Sequence, residues 1–353
     1  NTVFGFMAGA SIQAGAVENT IIGDYAATSL TTGDYNTAIG KNALYTEDVG
    51  RKTTAVGYGT LYAQNTASEG AVHNTAIGAD AGSYNVTGTN NTWVGSQAGT
   101  GASGQSNSSN VGVGANSMRV VSTGGENVSV GKDSMYDANT ASGVVAVGTE
   151  SAYNITSGSE SVAIGKQALY TATTVGANTA VGYQALKLNT VASNTAFGHS
   201  AGLNTTGTLN TYVGASAGNG AAGAETHNTG VGANALLDVT TGSYNAVLGQ
   251  SAGANITDGH NNVAIGNQAL MTSTSAGICV VIGDDAMKNG NATQDGTIAI
   301  GGSALYGLTS GAGNVAIGFN SGYNLTTNAG NTYLGYESGA SAGGNVHNYN
   351  TGV

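Results

Sequence analysis

The segment Asn36-Thr37-Ala38-Ile39-Gly40, followed by Ala43-Leu44, is one copy of a motif that recurs along the whole chain. Two further clear copies are Asn178-Thr179-Ala180-Val181-Gly182 with Ala185-Leu186, and Asn314-Val315-Ala316-Ile317-Gly318 with Ser321-Gly322. A fixed period of this kind mostly decides the architecture of a chain. Because the repeat extends through all 353 residues, little sequence remains for an irregular catalytic domain.

The glycine of the motif sets the register of the repeat, and we call each repeat a rung. It falls at positions 5, 23, 40, 57, 78, 95, 114, 131, 148, 165, 182, 198, 214, 232, 249, 266, 283, 301, 318 and 335, at a spacing that is mostly 17 residues. The residue before it is always large and apolar, and the residue three positions after it is always Ala, Ser or Thr. Asn stands four positions before it in fifteen of the twenty rungs; the exceptions are Thr53, Val144, Ser161, Cys279 and Thr297.

Period and composition together predict an all-β, parallel β-solenoid. Helical-hairpin repeats and propeller blades need about 33 to 50 residues per repeat, which is longer than the 17 residues of a typical rung here. The 59 Gly supply corners with positive φ, and the absence of Pro suits a sheet that continues above and below every rung. We expect one continuous solenoid over residues 1–353, with about 20 rungs of about 17 residues and a length of roughly 95 Å. Because the chain starts and stops inside a rung, we also expect it to be a fragment of a longer fibrous protein.

Alternation within the motif strand predicts which residues share a face. We expect Ile39 and its equivalents to fill the inside of each rung, and Ala38 and its equivalents to point the other way. A solvent-facing position would admit Lys, Glu or Gln, whereas the Ala38 position holds small, uncharged residues in most rungs. We therefore expect the small-residue face to pack against copies of the same chain around an axis, with a single-chain solenoid as the alternative. The recurrent Asn is expected to form a ladder of side-chain amides from rung to rung.

A second period of 120 residues, or seven rungs, overlies the first. The segment that begins at Ala79 returns at His199 and again at Phe319. In each copy the small residue of one strand is replaced by an aromatic residue: Trp93, Tyr212 and Tyr333. We interpret these three residues as register marks where the packed face widens, with stacking on a ligand as the alternative.

The repeated Asn-x-Ala-Ile-Gly-x-x-Ala run resembles the head repeats of YadA-type trimeric autotransporter adhesins and the solenoid segments of some phage tail fibres. The resemblance extends through all twenty rungs, although the family's head rungs are shorter, near 14 residues. It implies a left-handed β-roll, a homotrimer and an adhesive role at a cell surface or on a virion. The chain contains neither a heptad stalk nor a membrane anchor, which the adhesin family would carry.

Charge and cysteine content exclude several classes of function. Only 8% of the residues are charged, and the eight Lys and Arg form no basic patch, so we expect no nucleic-acid partner. A formal net charge of −11 also disfavours anionic membranes, and no segment of the chain is a candidate for membrane insertion. Cys279 is the only cysteine and occupies an Asn position of the motif, so we expect a small buried residue rather than a nucleophile.

No constellation of side chains predicts a catalytic, cofactor-binding or metal site. The acidic residues are scattered through turns, and Asp284-Asp285 is the one adjacent Asp pair. His73 and His227 directly precede the motif Asn, with His260 and His347 close to that slot, and we expect local hydrogen bonds there rather than a metal ion. Tyr recurs five positions after the motif glycine, which suggests either edge packing or a stripe that stacks on sugars: Tyr45, Tyr62, Tyr136, Tyr153, Tyr170 and Tyr306.

The sequence favours a structural and adhesive rod of an extracellular fibre, without enzymatic activity or cofactor. Its expected partners are copies of itself and a host surface or glycan receptor, contacted through turns or the tip. A phage tail-fibre shaft and a polymerising extracellular filament are alternatives within the same class. A solenoid enzyme that degrades polysaccharides is the alternative from another class, and it would need a cluster of carboxylates and basic residues that interrupts the repeat at one level.

Overall fold

The computed structural model describes residues 1–66, 70–102, 104, 106–220, 222–290, 295–341 and 348–352. It confirms an all-β, parallel β-solenoid whose strands recur about every 17 residues, and the described residues contain no helix. The strands are β1 (Thr2–Phe4), β2 (Thr20–Ile22), β3 (Thr37–Ile39), β4 (Thr54–Val56), β5 (Thr75–Ile77), β6 (Thr92–Val94), β7 (Val111–Val113), β8 (Val128–Val130), β9 (Val145–Val147), β10 (Val162–Ile164), β11 (Thr179–Val181), β12 (Thr195–Phe197), β13 (Thr211–Val213), β14 (Thr229–Val231), β15 (Ala246–Leu248), β16 (Val263–Ile265), β17 (Val280–Ile282), β18 (Ile298–Ile300), β19 (Val315–Ile317), β20 (Thr332–Leu334) and β21 (Thr351–Gly352).

The chain divides into two compact units, Asn1–Asn178 with β1 to β10 and Thr179–Val353 with β11 to β21. Within each unit every strand pairs in parallel with the next strand along the chain. Equivalent motif positions lie opposite each other, as in the pairing of Ala38 with Ala55 and of Ile39 with Val56. The single domain over residues 1–353, the rod length and the left-handed coil remain predictions.

Stacking explains why the motif glycine does not vary. Gly40 has a φ of +132°, and a Cβ at this position would lie 2.3 Å from the carbonyl oxygen of Gly57 in the next rung. That distance is far below any contact that a real Cβ makes, and the atom it meets is rigid backbone. The same clash, on the carbonyl oxygen or carbon of the next motif glycine, recurs along the column. Glycine is therefore required at this corner by both its conformation and its lack of a side chain.

The prediction of which strand face lies inside the rung is wrong. Ala38, the middle residue of β3, is fully buried, whereas Thr37 and Ile39 on either side of it are only partly buried. The same pattern of burial holds in every strand from β2 to β20. The small residues therefore point into the solenoid, and the large apolar residues before the motif glycine point outward. The small-residue face is the core of the single chain and does not pack against other copies.

The interior is filled from the turn instead of from the strand. Leu44, Leu61 and Leu169, each four positions after a motif glycine, are fully buried and have φ values between +49° and +53°. In the equivalent place Leu236 approaches the strand, since a Cβ at Gly230 of β14 would lie 3.3 Å from its Cδ1. Because a rung is narrow, a large side chain from the turn leaves room only for a small residue in the middle of the strand.

In the rungs of the three aromatic residues of the seven-rung period, the large side chain comes from the strand and the small residue from the turn. The Trp93 ring is fully buried, and the rung replaces the usual Leu of the turn with Gly99. A Cβ at Gly99 would lie 2.2 Å from the ring, one at Gly112 in the next strand 2.6 Å, and one at Gly82 2.9 Å. Tyr212 and Tyr333 are buried in the same way against equivalent glycines: Gly218, Gly230, Gly339 and Gly352. The three rings thus lie inside the solenoid, where they neither widen an outward face nor meet a ligand.

The predicted Asn ladder is confirmed, and most of its bonds join side chain to backbone. The Oδ1 atom of Asn36 accepts the backbone N–H of Thr53 in the next rung at 3.0 Å, and its Nδ2 donates to the carbonyl of Gly50 at 2.9 Å. The backbone N–H of Asn36 in turn donates to Asn19 Oδ1 at 2.9 Å. All three side chains at this position are buried, so the ladder satisfies polar groups that would otherwise be stranded in the core.

Candidate functional site

The outward face of the strands forms an apolar stripe along each unit. We define the stripe as the first and third residues of the strands, which are Thr, Val, Ile, Leu or Phe in β1 to β20 with Ala246 as the one exception. Ile77 is 42% exposed and Phe197 56%, although both belong to the regular sheet. No strand residue of β1 to β20 is charged. A face that admits only Thr and apolar residues on every rung is typical of a surface that another molecule covers.

Tyrosines five positions after the motif glycine form stacked columns beside the strands. Tyr45 and Tyr62 stack with centroids 5.0 Å apart, and Tyr136, Tyr153 and Tyr170 continue with separations of 5.1 Å. Each ring places a flat face on the tyrosine of the neighbouring rung. The tyrosines therefore pack on one another along the edge of the turns, which is one of the two predicted roles. Only a ring at the end of a column has a face that remains available to another molecule.

The Tyr column of the first unit is interrupted, and the interruption forms a cavity of about 460 Å³. Between Tyr62 and Arg119 the column holds only Ser83 and Thr100. All four of these residues line the cavity. At its far end the Arg119 guanidinium lies 5.5 Å from the centroid of the Tyr136 ring and donates a hydrogen bond to its hydroxyl. The cavity therefore lies between the end of one aromatic column and the start of the next.

A second column adds the polar lining of this groove. Asn42, Asp80 and Gln97, each two positions after a motif glycine, lie on successive rungs around Gly59. Gly59 is the one glycine at this position in the chain, and a Cβ there would lie 2.6 Å from Asp80 Oδ1. The exposed rings of Tyr58 and Tyr84 complete the wall. The groove thus combines aromatic faces with a carboxylate, two amides and a guanidinium.

Comparison with family models and with curated proteins finds no match for this chain. The geometry of the stripe and of the groove is therefore the basis for a functional assignment. The part of the chain that the structure describes has no helical segment that could span a membrane.

The acidic residues named from the sequence take part in local contacts. Asp284 accepts a hydrogen bond from Asn267 at 3.0 Å, and Asp285 pairs with Lys288 at 3.1 Å. Within the described residues, no three His, Cys, Asp or Glu side chains converge as a metal site would require. Glu69, another of the scattered acidic residues that the sequence assigns to turns, lies outside the described residues.

Of the histidines named from the sequence, His73, His227 and His260 lie in the described part of the chain and are exposed. His73 and His227 have φ values of +54° and +58°, in the left-handed turn that precedes the ladder Asn. His227 stacks on Tyr244 with centroids 4.7 Å apart, so it takes part in a short aromatic column of its own. His260 forms an isolated parallel bridge with Gly277, and His347 lies outside the described residues.

Cys279 is buried, as expected, and its backbone N–H donates to Asn262 Oδ1 at 3.0 Å in place of a ladder Asn. Burial raises the pKa of its thiol to about 11, which keeps it protonated at neutral pH. A protonated, buried thiol is a poor nucleophile. Cys279 therefore fills space in the ladder.

The buried carboxyl groups of Glu47 and Glu225 were missed by the sequence reasoning, and of the two only the Glu225 side chain keeps an oxygen without a hydrogen-bond partner. Glu225 is 2% exposed, and its Oε2 atom has no hydrogen-bond partner. Burial raises its pKa to about 7. Burial, and to a lesser extent the charge of Glu225, also raise the pKa of Tyr212. No sequence signal distinguishes Glu225 from the acidic residues of exposed turns, since its burial depends on how the turns stack.

Proposed function

We propose that this chain is a structural and adhesive rod of an extracellular fibre, without enzymatic activity, that assembles as a homotrimer through the apolar stripe. Its turns carry the contacts to a host surface or glycan. The repeat motif's resemblance to adhesin heads and phage tail fibres supports the class of protein and the number of copies. A phage tail-fibre shaft is the same assembly on a virion, and a polymerising filament is the competing assembly.

The stripe is the observation that carries this proposal. It crosses about ten rungs in each unit, or roughly 48 Å at about 4.8 Å per rung. A partner that covers it must offer apolar groups at the same spacing over the same length. Another copy of this chain offers that match, since its own stripe has the same period and the same need to be covered. The sequence analysis assigned the contact between copies to the small-residue face, which lies inside the solenoid. The same argument, that a strand face without charged residues is covered by another molecule, applies to the stripe.

Light scattering on the purified chain, with electron microscopy for shape, tests the assembly. We expect a particle with three times the chain mass of 34.4 kDa. Replacing Ile77 and Val147 by Lys, both more than a third exposed in the single chain, is expected to dissociate the particle into folded monomers. The two charges remain hydrated in the monomer but would be buried without partners in the trimer.

Ala115→Lys is the matched control. Ala115 is exposed and lies directly after a motif glycine, where Lys41, Lys132 and Lys166 occur naturally in other rungs. This variant should keep the mass of the parent. A parent chain that is monomeric at about 100 μM would defeat the proposal, and open-ended filaments would replace the trimer by the polymerising assembly.

A further inference from the structure

The groove of the first unit is a gap in a column of stacked rings. One face of the Tyr62 ring is covered by the Tyr45 ring, with centroids 5.0 Å apart and planes only 3° apart, while Tyr62 as a residue is 38% exposed and lines the cavity. Ser83 and Thr100 follow in the column, and Arg119 ends the gap. At about 4.8 Å per rung, two small residues leave the thickness of about two rings vacant.

The chain shows what fits in this space. In the third copy of the seven-rung period, Tyr306 and Tyr323 stand where the first copy has Tyr62 and Ser83. Their rings stack with centroids 5.0 Å apart and an angle of 4° between planes. The slot beside Tyr62 thus has the size and direction of a flat six-membered ring, and in the first copy the chain does not supply that ring.

The polar lining indicates which kind of ring enters. Asp80 offers acceptors only, Arg119 donors only, and the Asn42 and Gln97 side chains offer both. A pyranose has an apolar face of C–H groups that stacks on an aromatic ring, and a rim of hydroxyls that both donate and accept. A cavity of this volume with an aromatic wall and a few polar groups is the usual form of a small-molecule site. The carboxylate disfavours an anionic sugar.

We propose that this groove binds one neutral pyranose unit of a glycan, stacked on Tyr62 and hydrogen-bonded through Asp80, Gln97 and Arg119. The inference deepens the proposed adhesive function by naming its ligand class and its site. The groove uses residues one to six positions after the motif glycine, beside the stripe and not on the strand face itself.

The site belongs to the first copy of the seven-rung period alone. In the second copy Lys187 replaces Tyr62 and Leu237 replaces Arg119, so both ends of the gap are lost. Gly59, which leaves the floor of the groove open, has no glycine equivalent in any other rung. We therefore expect one sugar site for each chain.

Titration of the assembled protein with lactose, maltose and N,N′-diacetylchitobiose tests the proposal, with saturation-transfer NMR and calorimetry as readouts. We expect at least one of these sugars to bind with a Kd of about 0.1–10 mM. The double variant Ser83→Tyr/Tyr84→Asn reproduces the natural Tyr323-Asn324 pair and fills the slot with a ring. It is expected to weaken binding at least about tenfold while the circular dichroism spectrum is unchanged.

Further variants keep the test decisive if the double variant does not fold. Asp80→Ser and Gln97→Ser introduce the residues found naturally at Ser200 and Ser216 in the second copy, and each should weaken binding about threefold or more. Wild-type protein that binds none of the three sugars at about 50 mM overturns the proposal. So does equal binding by all the variants, or binding of sialyllactose alone. Light scattering on the same samples separates the two proposals, because a trimer without sugar binding defeats only this one.

Discussion

At the scale of single residues, the seven-rung period is an exchange of volume between strand and turn. An ordinary rung pairs a small strand residue with a large turn residue such as Leu44, whereas the Trp93 rung pairs a ring with Gly99. We expect Trp93→Ala alone to lower the free energy of unfolding by about 3–5 kcal/mol, because it leaves a cavity in a close-packed core. Adding Gly82→Leu and Gly99→Leu restores the ordinary packing and should recover about half of that loss.

Denaturant unfolding of the single, double and triple variants measures this exchange. Gly99→Leu in the parent chain serves as the control, since its Cβ would meet the Trp93 ring at 2.2 Å and should destabilise the fold. Additive effects, with a coupling below about 0.5 kcal/mol, would mean that the ring and the glycines do not share one space.

Glu225 gives the fold a dependence on pH at the same scale. Burial raises its pKa to about 7 from an ordinary 4.5, so the folded state holds this proton more tightly than the unfolded state. The contribution of the Glu225 proton to the free energy of unfolding is therefore fully present below about pH 4.5 and is lost as the pH rises towards 7. Above that pH the free energy lost through this group stays constant. Glu225→Gln should match the parent in Tm at pH 4.5 and exceed it at pH 8.

The difference between the two Tm curves isolates Glu225 from the other titrating groups. Glu126→Gln, an exposed turn position, is the control and should leave the Tm unchanged at both pH values. Parallel curves for Glu225→Gln and the parent would show that the Glu225 carboxyl group is hydrated in solution.

At the scale of the element, the strands are too short to be stable by themselves. Each strand from β1 to β20 has three residues, and the ladder of buried Asn supplies further bonds between rungs. Asn127 accepts from the backbone N–H of Val144 at 3.0 Å and donates to the carbonyl of Ala141 at 2.7 Å. We expect Asn127→Ala to cost about 2–4 kcal/mol, because it leaves both groups buried without their partner. Thermal unfolding measures this cost, and exposed Asn65→Ala, the control, should change stability by less than about 0.5 kcal/mol.

The rung and its register could be predicted from the sequence, whereas the inside of the rung could not. Gly40 and Asn36 recur because each meets its own equivalent in the next rung, so their physical role repeats with the period. Alternation in the strand separates Ala38 from Ile39 but does not say which of them lies inside. That choice depended on Leu44, whose left-handed turn directs a large side chain into the core from outside the strand.

The groove was not predicted, because it forms where successive rungs lack the large side chains that other rungs carry at the same positions. Tyr62 and its neighbours in the column were recognised from the spacing of the tyrosines. The signal for the site was the interruption of that spacing by Ser83 and Thr100, together with the one glycine at the Gly59 position. Missing side chains form a cavity only when the rungs are stacked and the small residues lie beside each other, and the sequence alone does not show this.

At the scale of the whole molecule, a solenoid depends on contacts between neighbouring rungs and so should tolerate the loss of a complete rung. Deleting residues 132–148 joins Gly131 to Thr149 and removes one rung of 17 residues between two motif glycines. We expect the shortened chain to fold, with the circular dichroism spectrum of the parent and a Tm within a few degrees, since every remaining strand keeps a partner in register. Deleting residues 132–140 removes about half a rung and should abolish cooperative unfolding of the first unit, because β9 would then face β8 with the wrong residues. If both deletions were equally disruptive, stability would depend on contacts across many rungs, and the nearest-neighbour account of this fold would be wrong.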